Sequence, residues 1–62
     1  MKQKIKSLTN RTVRLFWEKN GWHHNAVGII KKPWKVQFDF NMNGEMLIRI
    51  RYDNVKDVEL IK

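Results

Sequence analysis

The chain has 62 residues, no cysteine, and 13 lysines and arginines against six acids, for a net charge of +7. This length allows one domain with a small core, and the lack of cysteine excludes disulfides and thiolate metal sites. The apolar fraction of 42% argues against disorder. No apolar run approaches the roughly 20 residues of a transmembrane helix, and the basic N-terminus lacks the apolar stretch of a signal peptide. We therefore expect a cytoplasmic protein with no membrane partner.

The first eleven residues allow two interpretations. Ile5 and Leu8 are spaced for one turn of helix, but three lysines crowd the same stretch, and a frayed basic arm is an equal alternative. We expect residues 1–11 to form this arm or short helix and residues 12–62 to form the domain.

A hairpin is predicted around Asn20-Gly21, because both residues tolerate the positive φ that a type I′ turn requires. A two-residue turn there pairs Trp17 with His24 across the two strands. Since side chains alternate along a strand, one face of the hairpin then carries the candidate core. Its members are Val13, Leu15, Trp17, Ala26, Gly28 and Ile30.

The next two strands follow Pro33, which cannot donate to a strand ladder and marks a bend. A two-residue Asn43-Gly44 turn between them would push arginines into the core. A three-residue loop over residues 42–44 avoids this and keeps apolar side chains opposite one another. The predicted pairs are Phe40–Met46, Phe38–Ile48 and Val36–Ile50 on the core face, and Gln37–Arg49 and Lys35–Arg51 on the other face.

A last strand is predicted near the C-terminus, where Asp53-Asn54 signals a turn and Val58 and Leu60 alternate with acidic residues. Five short, bent strands in about fifty residues predict an all-β fold, a small SH3-like or Sm-like barrel. Small barrels of this kind gain stability by pairing their edge strands, so both a monomer and a homo-oligomer through edge strands remain open.

Positive charge is concentrated in residues 1–37, which hold nine basic residues and one acid. Such charge attracts polyanions, and nucleic acid (DNA or RNA) is the expected partner, with an acidic protein or no polyanion partner as the alternatives. The lysines and arginines would contact phosphates while Trp34 stacks on a base. The alternative is that Trp34 caps one end of the barrel and the charges only solvate it. The candidate binding residues are Lys31, Lys32, Trp34, Lys35, Gln37, Arg49 and Arg51.

A protein-interaction module is the alternative function. Exposed apolar side chains are typical of protein-binding patches, and Phe16, Trp22 and Leu47 are the candidates here. Such a module would be a phage or bacterial accessory factor that docks on a polymerase or replication protein. Under the first hypothesis, the nucleic-acid-binding protein would be a phage- or plasmid-encoded regulator.

Neither catalysis nor a metal site is expected. The chain has no glycine-rich phosphate loop and no Ser-His pair at a suggestive spacing. His23 and His24 are neighbours on a strand, so their side chains point to opposite faces and do not easily share an ion. We therefore predict a protein that is not an enzyme and has no cofactor.

Two families resemble parts of this sequence. Residues 12–61, with an "NG" turn, a "GIIKK" strand and the ending "IRYDNVKDVELI", resemble the C-terminal part of the YolD-like proteins of Gram-positive bacteria and their phages. That resemblance implies an association with translesion DNA polymerases. Locally, "IIKKPWKV" is similar to the small basic archaeal chromatin proteins, which are SH3-like. It implies that Trp34 and Arg49 lie on DNA.

Overall fold

Five antiparallel strands follow a short helix in the computed structural model, which describes residues 1–61. The strands lie in one sheet in the order β4-β3-β2-β1-β5, so β4 and β5 are its edges. This arrangement confirms the predicted all-β, five-stranded class. The elements are α1 (Lys2–Ser7), β1 (Thr12–Lys19), β2 (Trp22–Lys31), β3 (Gln37–Met42), β4 (Met46–Arg51), a 3-10 turn (Tyr52–Asn54) and β5 (Val55–Leu60).

The sheet curls around one apolar core. The last strand, β5, returns to pair with β1, and the 3-10 turn between β4 and β5 also lies against β1. A bulge between Phe16 and Trp17 shifts the β1–β5 register and brings both Val55 and Val58 inward. The core contains Ile5, Val13, Leu15, Trp17, Ile30, Phe38, Phe40, Ile50, Tyr52, Val55 and Val58.

The first hairpin confirms its predicted register. Asn20 and Gly21 both have positive φ, 53° and 81°, and Trp17 lies opposite His24. The predicted core face of the two strands is buried or half-buried except near the turn. An Asn-Gly pair and a clean alternation therefore fixed this part of the sheet locally.

The register predicted for the second hairpin is wrong by two residues. Phe38 pairs with Ile50 and Phe40 with Ile48, because the loop covers residues 43–45 instead of 42–44. Asn43 and Gly44 both have positive φ, and the Glu45 N–H donates to the Met42 carbonyl at 3.2 Å. Glu45 is the third residue of the observed loop, and its place there sets Met42 opposite Met46. A shift of two residues conserves side-chain direction, so Phe38, Phe40 and Ile50 still face the core, whereas Met46 at the start of β4 is exposed.

The predicted place of Val36 in the core is also wrong. The Trp34 N–H donates to the Gln37 carbonyl at 2.7 Å, which closes a tight turn just after Pro33. The strand β3 therefore begins at Gln37, and the Val36 side chain is exposed.

At the N-terminus the structure has the helical alternative. A six-residue helix is too short to be stable in water by itself, so α1 depends on tertiary contacts. Ile5 supplies them, because its side chain is completely buried in the core of the sheet. Within residues 1–61, neither α1 nor any other helix has the length and apolar character to span a bilayer.

Candidate nucleic-acid interface

The outer surface of strands β2, β3 and β4 carries a row of three charged side chains. Cross-strand partners share a face, and the pairing sets Lys31 beside Asp39 and Asp39 beside Arg49. The next row pairs Gln37 with Arg51. We call this surface the Trp34 face and define it as Lys31, Lys32, Trp34, Gln37, Asp39, Arg49 and Arg51.

The Trp34 side chain lies on this face and is 40% exposed. The Arg49 guanidinium carbon lies 4.3 Å from the centroid of the indole ring, a cation–π contact of about 0.5–1 kcal/mol at an exposed site. The Trp34 backbone is fixed on both sides, by its N–H bond to Gln37 and by the Tyr52 hydroxyl, which donates to the Trp34 carbonyl at 2.8 Å. The indole is thus held in place while part of its surface stays open to solvent.

Asp39 is the residue on this face that sequence reasoning missed. Its Oδ1 lies 3.4 Å from the Arg49 Nε, and only 6% of the residue is exposed. The predicted pairs Gln37–Arg49 and Lys35–Arg51 are wrong because of the register shift, which puts Asp39 opposite Arg49 and Gln37 opposite Arg51. Arg49 is therefore partly neutralised, and it supports the indole more than it offers free charge.

The remaining cations keep their charge free. Among residues 1–61, Lys31, Lys32, Lys35 and Arg51 have no carboxylate within 4.0 Å. The Lys31 Nζ donates instead to the Asn10 side-chain oxygen at 3.3 Å. Lys32 is exposed in loop 32–36, with a φ of 41°.

Lys35 lies apart from the other candidate binding residues. Its side chain is exposed and lines a neighbouring cleft with Lys2 and Tyr52. The structure thus gathers six of the seven predicted binding residues on or beside the Trp34 face and places the seventh in the adjacent cleft. No local sequence pattern indicated the hydrogen bond of Tyr52 to loop 32–36.

The Tyr52 hydroxyl ties the 3-10 turn to loop 32–36, and burial raises its pKa above the ordinary value of 10.0. A raised folded-state pKa means that the neutral phenol is favoured in the folded protein. Its contribution to stability is complete below pH 10 and is lost as the pH rises through the folded-state pKa.

Tyr52→Phe should therefore remove a hydrogen bond and a pH dependence together. At neutral pH we expect a loss of about 0.5–1.5 kcal/mol in the free energy of unfolding. Above about pH 10 the wild type should lose stability more steeply than the variant, because only the wild type can ionise at this position. Thermal melts followed by circular dichroism between neutral pH and about pH 11 measure both. Parallel pH profiles would show that the buried phenol does not contribute.

The residues predicted for a protein-binding patch do not come together. Trp22 and Leu47 are 73% and 62% exposed. Phe16 and Leu47 lie on the outer surface but on β1 and β4, with two strands between them. Trp22 shares the opposite face with Trp17 and His24, as the alternation of the first hairpin requires.

The two histidines point to opposite faces. His24 stacks on Trp17 with 5.4 Å between ring centroids, while His23 lies opposite Glu18. In the described part of the chain, residues 1–61, no three histidine or acidic side chains are grouped as metal ligands.

Comparison of the chain with protein-family models, with curated proteins and with solved structures found no match in any of the three.

Proposed function

We propose that this protein binds nucleic acid through the Trp34 face, with cations on the phosphates and Trp34 on a base. The observation that supports this most is the indole itself. Its backbone is fixed by two hydrogen bonds, its ring is supported by Arg49, and the residue is 40% exposed beside cations that lack carboxylate partners. Such a held aromatic surface among free cations is what binding to a single strand uses.

A base would stack on the exposed part of the indole. Stacking of this kind contributes about 1–3 kcal/mol per base and tolerates every base, because all have a flat π surface. The Arg49 guanidinium already lies over the ring, so a base would add to an existing cation–π contact. On the Trp34 face, the cations therefore supply electrostatic attraction and Trp34 supplies stacking.

Sequence preference should be weak. The free cations at Lys31, Lys32 and Arg51 contact phosphates, which carry no sequence information. Gln37 is the one amide side chain on the face and is half-buried opposite Arg51. The expected binding is thus mostly electrostatic, with stacking added at one position.

A fluorescence anisotropy titration at two salt concentrations tests the proposal. Labelled oligonucleotides should bind at about 50 mM salt and weaken at about 200 mM. With three to four phosphate contacts, log affinity should fall with log salt at a slope of about −2 to −4. Failure to bind DNA or RNA at the lower salt concentration would rule the proposal out.

Asp39→Asn should strengthen binding. The Asp39 carboxylate competes with phosphates for Arg49, so its neutralisation leaves the guanidinium free for one more phosphate contact. We expect affinity to rise about threefold to tenfold, and the salt slope to steepen by about 0.7–0.9.

Asp57→Asn is the matched control, since it makes the same change in net charge. Asp57 lies on β5, at the opposite edge of the sheet, where its Oδ1 is 3.9 Å from the Lys4 Nζ. If both variants strengthen binding equally, only net charge matters and Asp39 has no specific effect on Arg49. Thermal melts of both variants check that the fold is retained.

A further inference from the structure

A cleft of about 500 Å³ adjoins the Trp34 face. It lies between α1, loop 32–36 and the 3-10 turn, and the hydrogen bond from Tyr52 to the Trp34 carbonyl ties its floor to the backbone of the loop that carries Trp34. Its volume falls within the roughly 300–1,000 Å³ of small-molecule sites. The residues that matter for its chemistry are Lys2, Lys35, Val36, Tyr52, Asp53 and Val55.

Two lysines make this cleft attractive to an anion. Within the described residues 1–61, neither Lys2 nor Lys35 has a carboxylate within 4.0 Å, although Asp53 lines the same cleft. The Lys2 Nζ lies 5.5 Å from the centroid of the Tyr52 ring, which holds it over the 3-10 turn. Both ammonium groups are therefore available to a phosphate.

The rest of the lining suits a flat ring. Val36 is exposed, and the largely buried Val55 and Tyr52 also line the cleft, so part of its lining is apolar. Asp53 is exposed and adds a carboxylate that can accept a hydrogen bond from a base N–H group. Cations, an apolar surface and one acceptor match the three parts of a nucleotide.

We infer that this cleft binds one nucleotide of a single strand next to the base stacked on Trp34. The inference rests on the proposed function and deepens it by naming the form of nucleic acid. A base inside a duplex is stacked and paired and cannot enter a recess unless it is extruded. An unpaired base can, so the cleft selects single strands.

A preference for single strands can be distinguished from electrostatic attraction to phosphates. A duplex has the higher charge density and the steeper salt dependence, so phosphate contacts alone favour it over a single strand. The test compares a thymidine single strand of about ten nucleotides, the duplex that contains it and an abasic strand of equal length. We expect the thymidine strand to bind about tenfold tighter than either of the other two.

Three variants locate the effect. Lys2→Gln and Lys35→Gln should each weaken binding of the thymidine strand about tenfold and binding of the duplex much less. The control is Lys4→Gln, which removes the same charge from the same helix outside the cleft, where Lys4 pairs with Asp57. It should weaken both ligands equally, by less than about threefold.

The outcomes separate the two proposals. If no oligonucleotide binds, both fail. If strands and duplex bind equally and Lys2→Gln behaves like Lys4→Gln, the cleft inference is wrong while the proposed function stands. Equal binding of the abasic and thymidine strands overturns both the cleft inference and the stacking on Trp34, because only phosphate contacts would then remain.

Discussion

Trp34→Ala weakens the binding of single-stranded nucleic acid about fivefold to 150-fold. The slope of log affinity against log salt stays unchanged. The expected loss corresponds to about 1–3 kcal/mol for one stacked base. The slope reports phosphate contacts, and the variant retains the free cations at Lys31, Lys32 and Arg51. The backbone bonds of residue 34 to Gln37 and Tyr52 do not involve the indole, so the loop keeps its anchors.

Trp22→Ala is the control for this variant. Trp22 is 73% exposed and begins β2 beside the Asn20-Gly21 turn, at the opposite end of the strand from Lys31. Its removal deletes the same side chain from the surface without touching the Trp34 face. Anisotropy titrations of both variants across a salt series make the comparison. A loss in Trp22→Ala equal to that in Trp34→Ala would mean that the stacking position has been wrongly assigned.

Gly28→Ala destabilises the fold by about 3 kcal/mol, the upper end of the range for overpacking. A Cβ at this position would collide with the Asn41 carbonyl oxygen and lie 2.8 Å from the Phe40 ring. The carbonyl belongs to β3, which pairs directly with β2, so it cannot move away without disturbing the sheet. A chain this short has a total stability of only about 3–9 kcal/mol, so the variant should lose at least about a third of it.

Urea unfolding followed by circular dichroism measures this loss. Asn25→Ala is the matched control, because Asn25 is exposed on the same strand and the change should stay within about 0.5 kcal/mol. Equal stability of Gly28→Ala and the wild type would contradict the close approach of β2 and β3 on which the position of the Trp34 face depends.

The sequence predicted the strands well because their signals are local. Asn20-Gly21 and an unbroken alternation define the first hairpin, and both its turn and its register are confirmed. In the second hairpin, alternation decided which side chains face the core. It could not decide between registers that differ by two residues, since these conserve the faces. The register is set by the inclusion of Glu45 in the loop, which is apparent only in the folded turn.

The candidate site was harder to predict because its key contacts are long-range. Trp34 and the cations were identified from their clustering in the sequence, but the pairing of Arg49 with Asp39 followed from the register. The Tyr52 bond joins residues 18 positions apart. The cleft depends on α1 packing against the sheet through Ile5, and the residues of that helix alone favoured an arm equally.

Chemical-shift mapping by NMR is the most direct test of nucleic-acid binding at the Trp34 face. Amide and indole signals are followed while a single-stranded oligonucleotide of about ten nucleotides is added at low salt. The largest shifts should fall on residues 31–37 and 49–53 and on the Trp34 indole, with the Trp22 indole nearly unchanged. Shifts centred on the Trp22 hairpin, or no shifts at all, would contradict binding at this face.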